Sequence, residues 1–230
     1  MTTLIDANYD AGVFEGDSQV TNGGNLSVEV AARLADTIEG LQCIISDTTS
    51  IYDQFDISVG TTLIRYRFYL DINELTIGAG DTFNCTLLRI SGAPYTLHTI
   101  GVNYTVGGDY TLMLYYYEDG GGTWETILTP LTDAPHYVEV LVERASGVSA
   151  NDGEINVWVD GALELTSSGL DIYNNWADIN AMWLGAAAID SGTSGTFYLD
   201  ELVLNDDGSE IGAVSAGANV PQKMYHYMHH

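Results

Sequence analysis

Short runs of alternating apolar and polar residues recur along almost the whole chain, and they constrain the fold more than any other feature. In His136–Glu143, for example, Val138, Val140 and Val142 share one side, and Glu154–Val159 alternates in the same way. A β-strand places successive side chains on opposite faces. This period of two therefore predicts antiparallel strands with one buried and one solvated face.

Glycine-rich turn clusters, such as Gly107-Gly-Asp and Asp119-Gly-Gly-Gly, separate these runs. Helical periodicity is nearly absent, because residues 28–39, which suit a helix, suit a strand followed by a loop equally well. Many short strands with such turns predict an all-β fold, a two-sheet antiparallel jelly-roll sandwich. The predicted strands are Leu26–Val30, Leu41–Ser46, Thr62–Leu70, Phe83–Ile90, Tyr95–Val102, Tyr110–Tyr117, Trp124–Leu128, His136–Glu143, Glu154–Val159, Ala181–Ala186 and Thr196–Leu204.

Basic residues are scarce in this chain. Its 230 residues include 6 Lys and Arg against 32 Asp and Glu, which gives a formal net charge of −26. Such a surface repels the phosphates of nucleic acids and of anionic lipids, so neither is an expected partner. No apolar run reaches the roughly 18 residues of a membrane span, and membrane insertion is not expected.

Neither the N-terminus nor the cysteines decide the compartment. The first eight residues lack both the basic region and the apolar core of a secretory signal. Two routes to a virion or extracellular location stay open, an earlier removed signal or release by cell lysis. Cys43 and Cys85 fall in predicted strands, where they are either small buried apolar residues or the two ends of a disulfide.

The composition changes after Asp207, which predicts a sandwich domain of residues 1–207 and a C-terminal segment of residues 208–230. This segment is small and weakly polar at first and ends as Met-Tyr-His-Tyr-Met-His-His. It is either a disordered end or an arm that docks on a neighbouring subunit. The residues of such an arm would be Tyr225, His226, Tyr227 and Met228.

The closing half of the chain carries a family resemblance. The stretch from Gly153 to Asp206 joins Gly-Glu-Ile-Asn-Val-Trp-Val-Asp-Gly, Met-Trp-Leu-Gly-Ala and Gly-Thr-Phe-Tyr-Leu-Asp-Glu-Leu-Val-Leu-Asn-Asp. Together with residues 61–71 and 134–140, it resembles the concanavalin A-like lectin/glucanase (laminin-G-like) superfamily, over roughly residues 8–206. It is similar to uncharacterised modules of bacterial extracellular and phage structural proteins. The resemblance implies a concave and a convex sheet, with glycan or calcium sites on the concave face or at a rim.

The hydrolytic members of that superfamily carry Glu-x-Asp-x-x-Glu on one strand, and this chain lacks the motif. Glu139 and Glu143 share a face but lie about 13 Å apart along a strand, too far for a retaining pair of carboxylates. Asp200 and Glu201 point to opposite faces of their strand. The sequence therefore predicts that the chain is not an enzyme.

A structural calcium ion is the one cofactor that the resemblance implies. Asp200 lies on an otherwise apolar strand face, and a buried carboxylate needs a partner. In related jelly-roll modules such an aspartate joins an acidic residue near the N-terminus around Ca²⁺, and Glu15 is the matching acid here. The alternative is an Asp200 carboxylate that accepts hydrogen bonds from a turn or pairs with an arginine.

Two groups of side chains are candidates for binding glycans. Tyr115, Tyr117 and Trp124 are predicted near one turn, with Tyr115 and Tyr117 on one face, and their rings suit stacking on sugars as well as core packing. Arg65 and Arg67 share a strand face and could bind an acidic sugar, or could pair with Glu139 or Glu143 across the sheet.

These observations predict a non-enzymatic surface or structural protein, such as a virion decoration or appendage subunit. Its partners would be further protein subunits, in a homo-oligomer or a particle lattice, and glycans. The alternative is a carbohydrate-binding, lectin-like adhesion module of a secreted or cell-surface protein.

Overall fold

The protein is an antiparallel β-sandwich of two sheets, as the alternating runs predict. The computed structural model describes residues 3–58, 62–91, 96–176 and 179–214. These ranges contain no α-helix, and thus no helix long and apolar enough to cross a membrane. The eight-stranded sheet contains β1 (Thr3–Ala7), β3 (Leu26–Glu29), β4 (Gly40–Ile45), β6 (Leu63–Asp71), β11 (His136–Glu143), β12 (Gly153–Val159), β13 (Ala162–Leu170) and β15 (Gly195–Asn205). The seven-stranded sheet contains β2 (Ser18–Val20), β5 (Ile51–Asp56), β7 (Thr82–Ile90), β8 (Thr96–Tyr104), β9 (Tyr110–Glu118), β10 (Gly121–Leu131) and β14 (Ile179–Ala187).

The connections cross repeatedly between the two sheets. The order in the eight-stranded sheet is β13-β12-β11-β6-β15-β4-β3, with β1 paired to β15. The order in the seven-stranded sheet is β10-β9-β8-β7-β14-β5-β2. Neighbours in space are therefore often distant in sequence, so the register between strands depends on long-range packing.

The eleven predicted strands all coincide with or overlap observed strands, and four observed strands were not predicted. β1 and β2 are short. β13 is largely exposed and polar, so it shows no apolar alternation. β5 alternates, but its middle inward residue is Asp53, which interrupts the apolar pattern. Residues 28–39 suited either a helix or a strand followed by a loop. In the structure β3 ends at Glu29 and a 3-10 turn follows at Val30–Ala32.

The core fills the space between the sheets. Val138, Val140 and Val142 of β11 are fully buried there, as their shared face predicts. Across the sandwich, the rings of Phe83 and Phe197 pack with centroids 4.9 Å apart. Burial of this many apolar side chains supplies the main stabilisation of the fold.

Cys43 and Cys85 are both buried, one in each sheet, and both are free thiols. The sequence left open whether the two cysteines are buried apolar residues or form a disulfide, and the structure shows them buried and unbridged. The low-polarity surroundings disfavour the thiolate, so burial raises the pKa of Cys43 well above its ordinary value and that of Cys85 to about 12. Neither thiol is a reactive nucleophile.

Candidate functional site

Several outward-pointing side chains are buried along the middle strands of the seven-stranded sheet. The most exposed of them, Met113, is only 9% exposed. Other atoms of the chain therefore cover this part of the outward face, which we call the floor. The floor residues are Asn84, Leu87, Thr99, Thr111 and Met113.

Strand register places one straight row of side chains across this face, which we call the outer row. Consecutive members are directly paired across neighbouring strands, from β2 to β10. Strands lie about 4.8 Å apart, so Trp183 and Tyr115, three strands from each other, are separated by roughly 14 Å. The outer row consists of Ser18, Gln54, Trp183, Leu87, Thr99, Tyr115 and Trp124.

Towards one end of the outer row, Trp183 is the middle layer of a three-layered stack with Tyr52 and Arg89. The rings of Tyr52 and Trp183 are nearly parallel, 7° apart in tilt, with centroids separated by 3.8 Å. The guanidinium carbon of Arg89 lies 4.4 Å from the Trp183 ring centroid. The indole N–H donates to Gln54 Oε1 at 2.7 Å, and Arg89 donates to Thr96 Oγ1 at 2.9 Å. These bonds fix the Trp183 indole and the Arg89 guanidinium in the stack.

The other end of the row holds Tyr115 and Trp124, with ring centroids 4.4 Å apart. Trp124 is 53% exposed, a high value for so large an apolar side chain. Gly122 makes room for this arrangement, because a β-carbon there would lie 1.9 Å from the Tyr115 hydroxyl. Tyr116 points the opposite way, into the core.

The two titratable groups of the stack, Tyr52 and Arg89, influence each other. Partial burial raises the pKa of Tyr52, while the neighbouring Arg89 opposes that rise. Burial lowers the pKa of Arg89, although a guanidinium stays protonated at neutral pH. The stack therefore presents one positive charge and one neutral phenol on an outward face.

Arg65 and Arg67, the other predicted glycan ligands, lie on the outward face of the eight-stranded sheet. Arg65 pairs with Glu139, and Arg67 pairs with Glu201 at 2.8 Å. Arg67 is only 4% exposed, because residues 208–214 cover it. Arg65 has the pairing with Glu139 that the sequence offered as the alternative, whereas Glu201, the partner of Arg67, was not one of the carboxylates named. Neither arginine is on the face that carries Tyr115 and Tyr117.

Asp200, the predicted calcium ligand, is fully buried and accepts three hydrogen bonds. The donors are the Leu34 amide at 2.9 Å, the Thr37 hydroxyl at 2.5 Å and the Glu201 amide at 2.8 Å. Glu15 is exposed and accepts a bond from the Tyr9 amide at 2.8 Å. Within the described ranges, no group of three or more His, Cys, Asp or Glu side chains is arranged to hold a metal ion. The calcium site stays a prediction, and hydrogen bonds from the protein satisfy Asp200 without it.

The predicted docking arm, Tyr225, His226, Tyr227 and Met228, lies outside the described residues. The sequence also missed the stack of Tyr52, Trp183 and Arg89. The one local feature that could have indicated this stack is the alternation in Ile51–Asp56, which puts Tyr52 and Gln54 on one side of the strand. Only the pairing of β5 with β14 brings Trp183 beside them.

A hydroxyl–imidazole–carboxylate chain joins Thr132, His136 and Asp160 on another part of the surface. His136 Nδ1 lies 2.7 Å from Asp160 Oδ2, and Nε2 lies 2.9 Å from Thr132 Oγ1. However, Nε2 also accepts the amide N–H of Thr132 at 3.1 Å. The Nε2 lone pair is therefore used in a hydrogen bond that stabilises the turn. The arrangement therefore fastens a loop and does not activate the hydroxyl.

No protein-family model and no curated protein match the chain by sequence. Its fold is similar to that of an endo-β-1,4-glucuronan lyase from the fungus Trichoderma reesei, with a TM-score of 0.66 and 14% identity over 89% of this chain and 95% of the lyase. It is also similar to alginate lyase Aly36B, with a TM-score of 0.60 and 13% identity over 92% and 98% of the two chains. Domain 4 of the extracellular arabinanase AbnA from Geobacillus stearothermophilus, in complex with arabinotriose, has a TM-score of 0.53 and 15% identity over 94% and 95%. Likeness at such identities shows the fold alone, an antiparallel β-sandwich of two sheets.

These likenesses correct two predictions from the sequence. The prediction of a virion or surface structural subunit is wrong, because the matched proteins are carbohydrate-active or carbohydrate-binding. The prediction that the chain is not an enzyme is wrong as well, since polysaccharide lyases share this fold. The missing Glu-x-Asp-x-x-Glu motif excludes one way of hydrolysing a glycan, whereas elimination needs no such pair of carboxylates.

Proposed function

We propose that the chain binds a polysaccharide along the outer row of the seven-stranded sheet. The observation that carries the proposal is the preorganised stack of Tyr52, Trp183 and Arg89 on an outward face. Aromatic rings stack on the apolar faces of sugars, while guanidinium and amide groups bind hydroxyl or carboxylate groups. The carbohydrate-active proteins of the same fold support this assignment.

The two ends of the row favour an extended ligand. About 14 Å separates Trp183 from Tyr115, and both lie on the same outward face. A monosaccharide would reach one end only, whereas a chain of several sugars would contact both. An oligosaccharide should therefore bind more tightly than its constituent sugar.

Replacing Trp183 by alanine is expected to weaken glycan binding at least about tenfold, because the stack loses its central ring. The matched control is Trp158→Ala, which removes a tryptophan from the outward face of the other sheet, beside Arg65. Calorimetric titration with oligosaccharides of alginate, glucuronan and arabinan measures both. Equal losses in the two variants, or no binding of any of these glycans by the unaltered chain, would contradict the proposal.

Cleavage of a uronic acid polymer by β-elimination is a second candidate function, and Arg89 favours it. In that reaction a base removes the proton at C5, the bond from C4 to the glycosidic oxygen breaks, and the leaving oxygen takes up a proton. Arg89 would neutralise the carboxylate that acidifies C5. Tyr52, whose pKa burial raises, stays protonated and could supply the proton to the leaving oxygen. His98 points into the core and cannot be the base.

If elimination occurs, the unaltered chain will release unsaturated uronates from alginate or glucuronan, seen as rising ultraviolet absorbance. Tyr52→Phe and Arg89→Ala are then expected to lower kcat/KM by about 100-fold or more. Tyr137→Phe, on the other sheet, is the control that should retain the rate. Glycan binding without any absorbance change would leave the binding function and exclude elimination on these polymers.

A further inference from the structure

Carboxylates are unevenly distributed over the seven-stranded sheet that carries the outer row, although the chain has 32 Asp and Glu residues. In the described strands of this sheet, Asp53 is fully buried, and Glu125 accepts the hydroxyl of the core residue Tyr116 at 2.8 Å. Asp56 and Glu118 are the last residues of β5 and β9. The middle of the described outward face therefore carries no carboxylate.

The side chains beside the outer row are uncharged apart from Arg89 and Asp56. On one side of the row, β2, β5 and β14 contribute Val20, Tyr52 and Gly185, while β7, β8 and β9 contribute Asn84, Gly101 and Met113. On the other side, directly paired residues are Asp56, Ala181, Arg89 and Thr96. A glycan on the row would thus cover an almost uncharged surface.

Carboxylates surround this surface at the ends of the strands. β5, β7 and β9 run in the same direction, because one antiparallel strand separates each from the next. Asp56 and Glu118 therefore lie at one edge of the sheet. Asp81 and Asp109, which directly precede β7 and β9, lie at the opposite edge. Both edges are negatively charged.

Two adjacent acids mark the Ser18 end of the outer row. The Asp17 carboxylate accepts the backbone amide of Asp56 at 2.8 Å, and both residues are exposed. Asp56 follows Gln54 by two positions, which places it on the same side of β5 and roughly 7 Å along the strand. Two exposed carboxylates at this distance create a negative potential over the end of the row.

Three acids mark the Trp124 end. A cavity of about 410 Å³ at the hairpin between β9 and β10 is lined by Glu118, Asp171 and residues 120–123. Asp119 follows Glu118 in the same hairpin, and partial burial together with the nearby Asp171 carboxylate raises the pKa of Asp119. Negative charge is therefore concentrated at this end as well.

This arrangement of charge affects charged and uncharged glycans differently. A polyuronate carries a carboxylate on every sugar, and two like charges about 7 Å apart in water lower affinity about two- to threefold. The net charge of −26 adds a repulsion of longer range, over about 30 Å at 10 mM salt and about 8 Å at physiological salt. An uncharged glycan experiences neither repulsion.

We infer that the carboxylates at the two ends of the outer row are specificity determinants, which exclude polyuronates and leave the row to uncharged polysaccharides. The inference rests on the proposed glycan binding, and it counts against elimination of uronic acid polymers. Arg89 is a single cation and does not offset a carboxylate on every sugar. The determinants are Asp17, Asp56, Glu118, Asp119 and Asp171.

The test compares oligosaccharides of glucuronan and alginate with their carboxyl-reduced forms, in which a hydroxymethyl group replaces each carboxylate. Calorimetric titration of the full-length chain is performed at about 10 mM and about 0.5 M salt. At low salt the reduced forms should bind at least about tenfold more tightly than the uronates, and at high salt the difference should shrink. Uncharged arabinan oligosaccharides should bind equally well at both salt concentrations.

A double variant, Asp56→Asn with Glu118→Gln, tests the named carboxylates. Both substitutes keep a carbonyl oxygen that can accept the hydrogen bonds of the original side chain. At low salt this variant should bind uronates about three- to fivefold more tightly than the unaltered chain, and reduced glycans equally well. The matched control is Glu29→Gln with Glu143→Gln, which removes the same charge from exposed residues of the eight-stranded sheet and should have much less effect.

Uronates that bind as tightly as their reduced forms at low salt would overturn the inference and leave glycan binding intact. An equal gain in the two double variants would overturn it too, since the repulsion would then come from net charge alone. Loss of reduced-glycan binding in Asp56→Asn with Glu118→Gln would make these acids ligands of the glycan, against the inference. If none of these oligosaccharides bound, the proposed function itself would be contradicted, and the inference with it.

Discussion

Replacing the buried His98 with leucine is expected to raise the free energy of unfolding at neutral pH by about 1–3 kcal/mol. His98 is fully buried between the sheets, with its ring 5.4 Å from that of Tyr66. Among the described residues, neither ring nitrogen has a hydrogen-bond partner. A buried polar group left unbonded costs about 1–3 kcal/mol. Leucine fills the site without any polar atom.

The same substitution is expected to reduce the loss of stability in acid. Burial lowers the pKa of His98 from 6.5 to about 3, since the charged imidazolium is disfavoured away from water. Between these values the unfolded chain binds a proton that the folded chain does not. The free energy of unfolding is therefore unaffected by His98 protonation above about pH 6.5. It falls by on the order of 5 kcal/mol as the pH falls from there towards 3.

Urea unfolding of the unaltered chain and of His98→Leu at a series of pH values measures both effects. His136→Gln serves as control, because His136 lies near the surface and has partners on both ring nitrogens. If His98→Leu were no more stable at neutral pH and kept the same acid dependence, the ring nitrogens of His98 would have to be satisfied in solution.

Asp200→Ala is expected to lower the free energy of unfolding by about 3–5 kcal/mol. The change removes the acceptor for the Leu34 amide, the Thr37 hydroxyl and the Glu201 amide at once. Each buried donor left unpaired costs about 1–3 kcal/mol, and relief of the buried charge offsets part of the sum. Asp200→Asn keeps one acceptor oxygen and should lose less.

The pH dependence of Asp200 has the opposite sign to that of His98. Burial raises its pKa from 3.8 to about 6. Between these values the folded chain binds the proton that the unfolded chain has lost, so stability falls as pH rises from about 4 to 6, on the order of 3 kcal/mol. The two groups partly offset each other in the unaltered chain. Asp200→Ala should therefore steepen the acid dependence that His98 causes.

Thermal melts of Asp200→Ala and of Asp47→Ala, a change at an exposed turn aspartate, compare a buried with a surface carboxylate. An equally small change in Tm for the two variants would contradict the expected loss.

The same melts, repeated with added Ca²⁺, test the predicted calcium site. Bound Ca²⁺ at Glu15 and Asp200 would raise the Tm of the unaltered chain but not that of Asp200→Ala.

The local pattern of the sequence determined most of the strands and the faces of their side chains. Alternation in β9 separates Tyr115 from Tyr116, and alternation in β11 separates Val140 from Glu139. These assignments follow from geometry within one strand, because neighbouring side chains of extended backbone always diverge. Strands without apolar alternation, such as β13, were missed for the same reason.

Partnerships between distant segments were decided by the tertiary structure alone. Tyr52 and Trp183 stack because β5 pairs with β14, and Arg67 is buried because residues 208–214 fold back over β6. Register between strands far apart in sequence depends on the packing of the whole core, which no local pattern encodes. The sequence by itself therefore determined a β-sandwich with Tyr115 and Tyr117 on one face of a strand. Only the folded chain turned that face outward, placed Trp183, Tyr115 and Trp124 in one row and put the paired arginines on the other sheet.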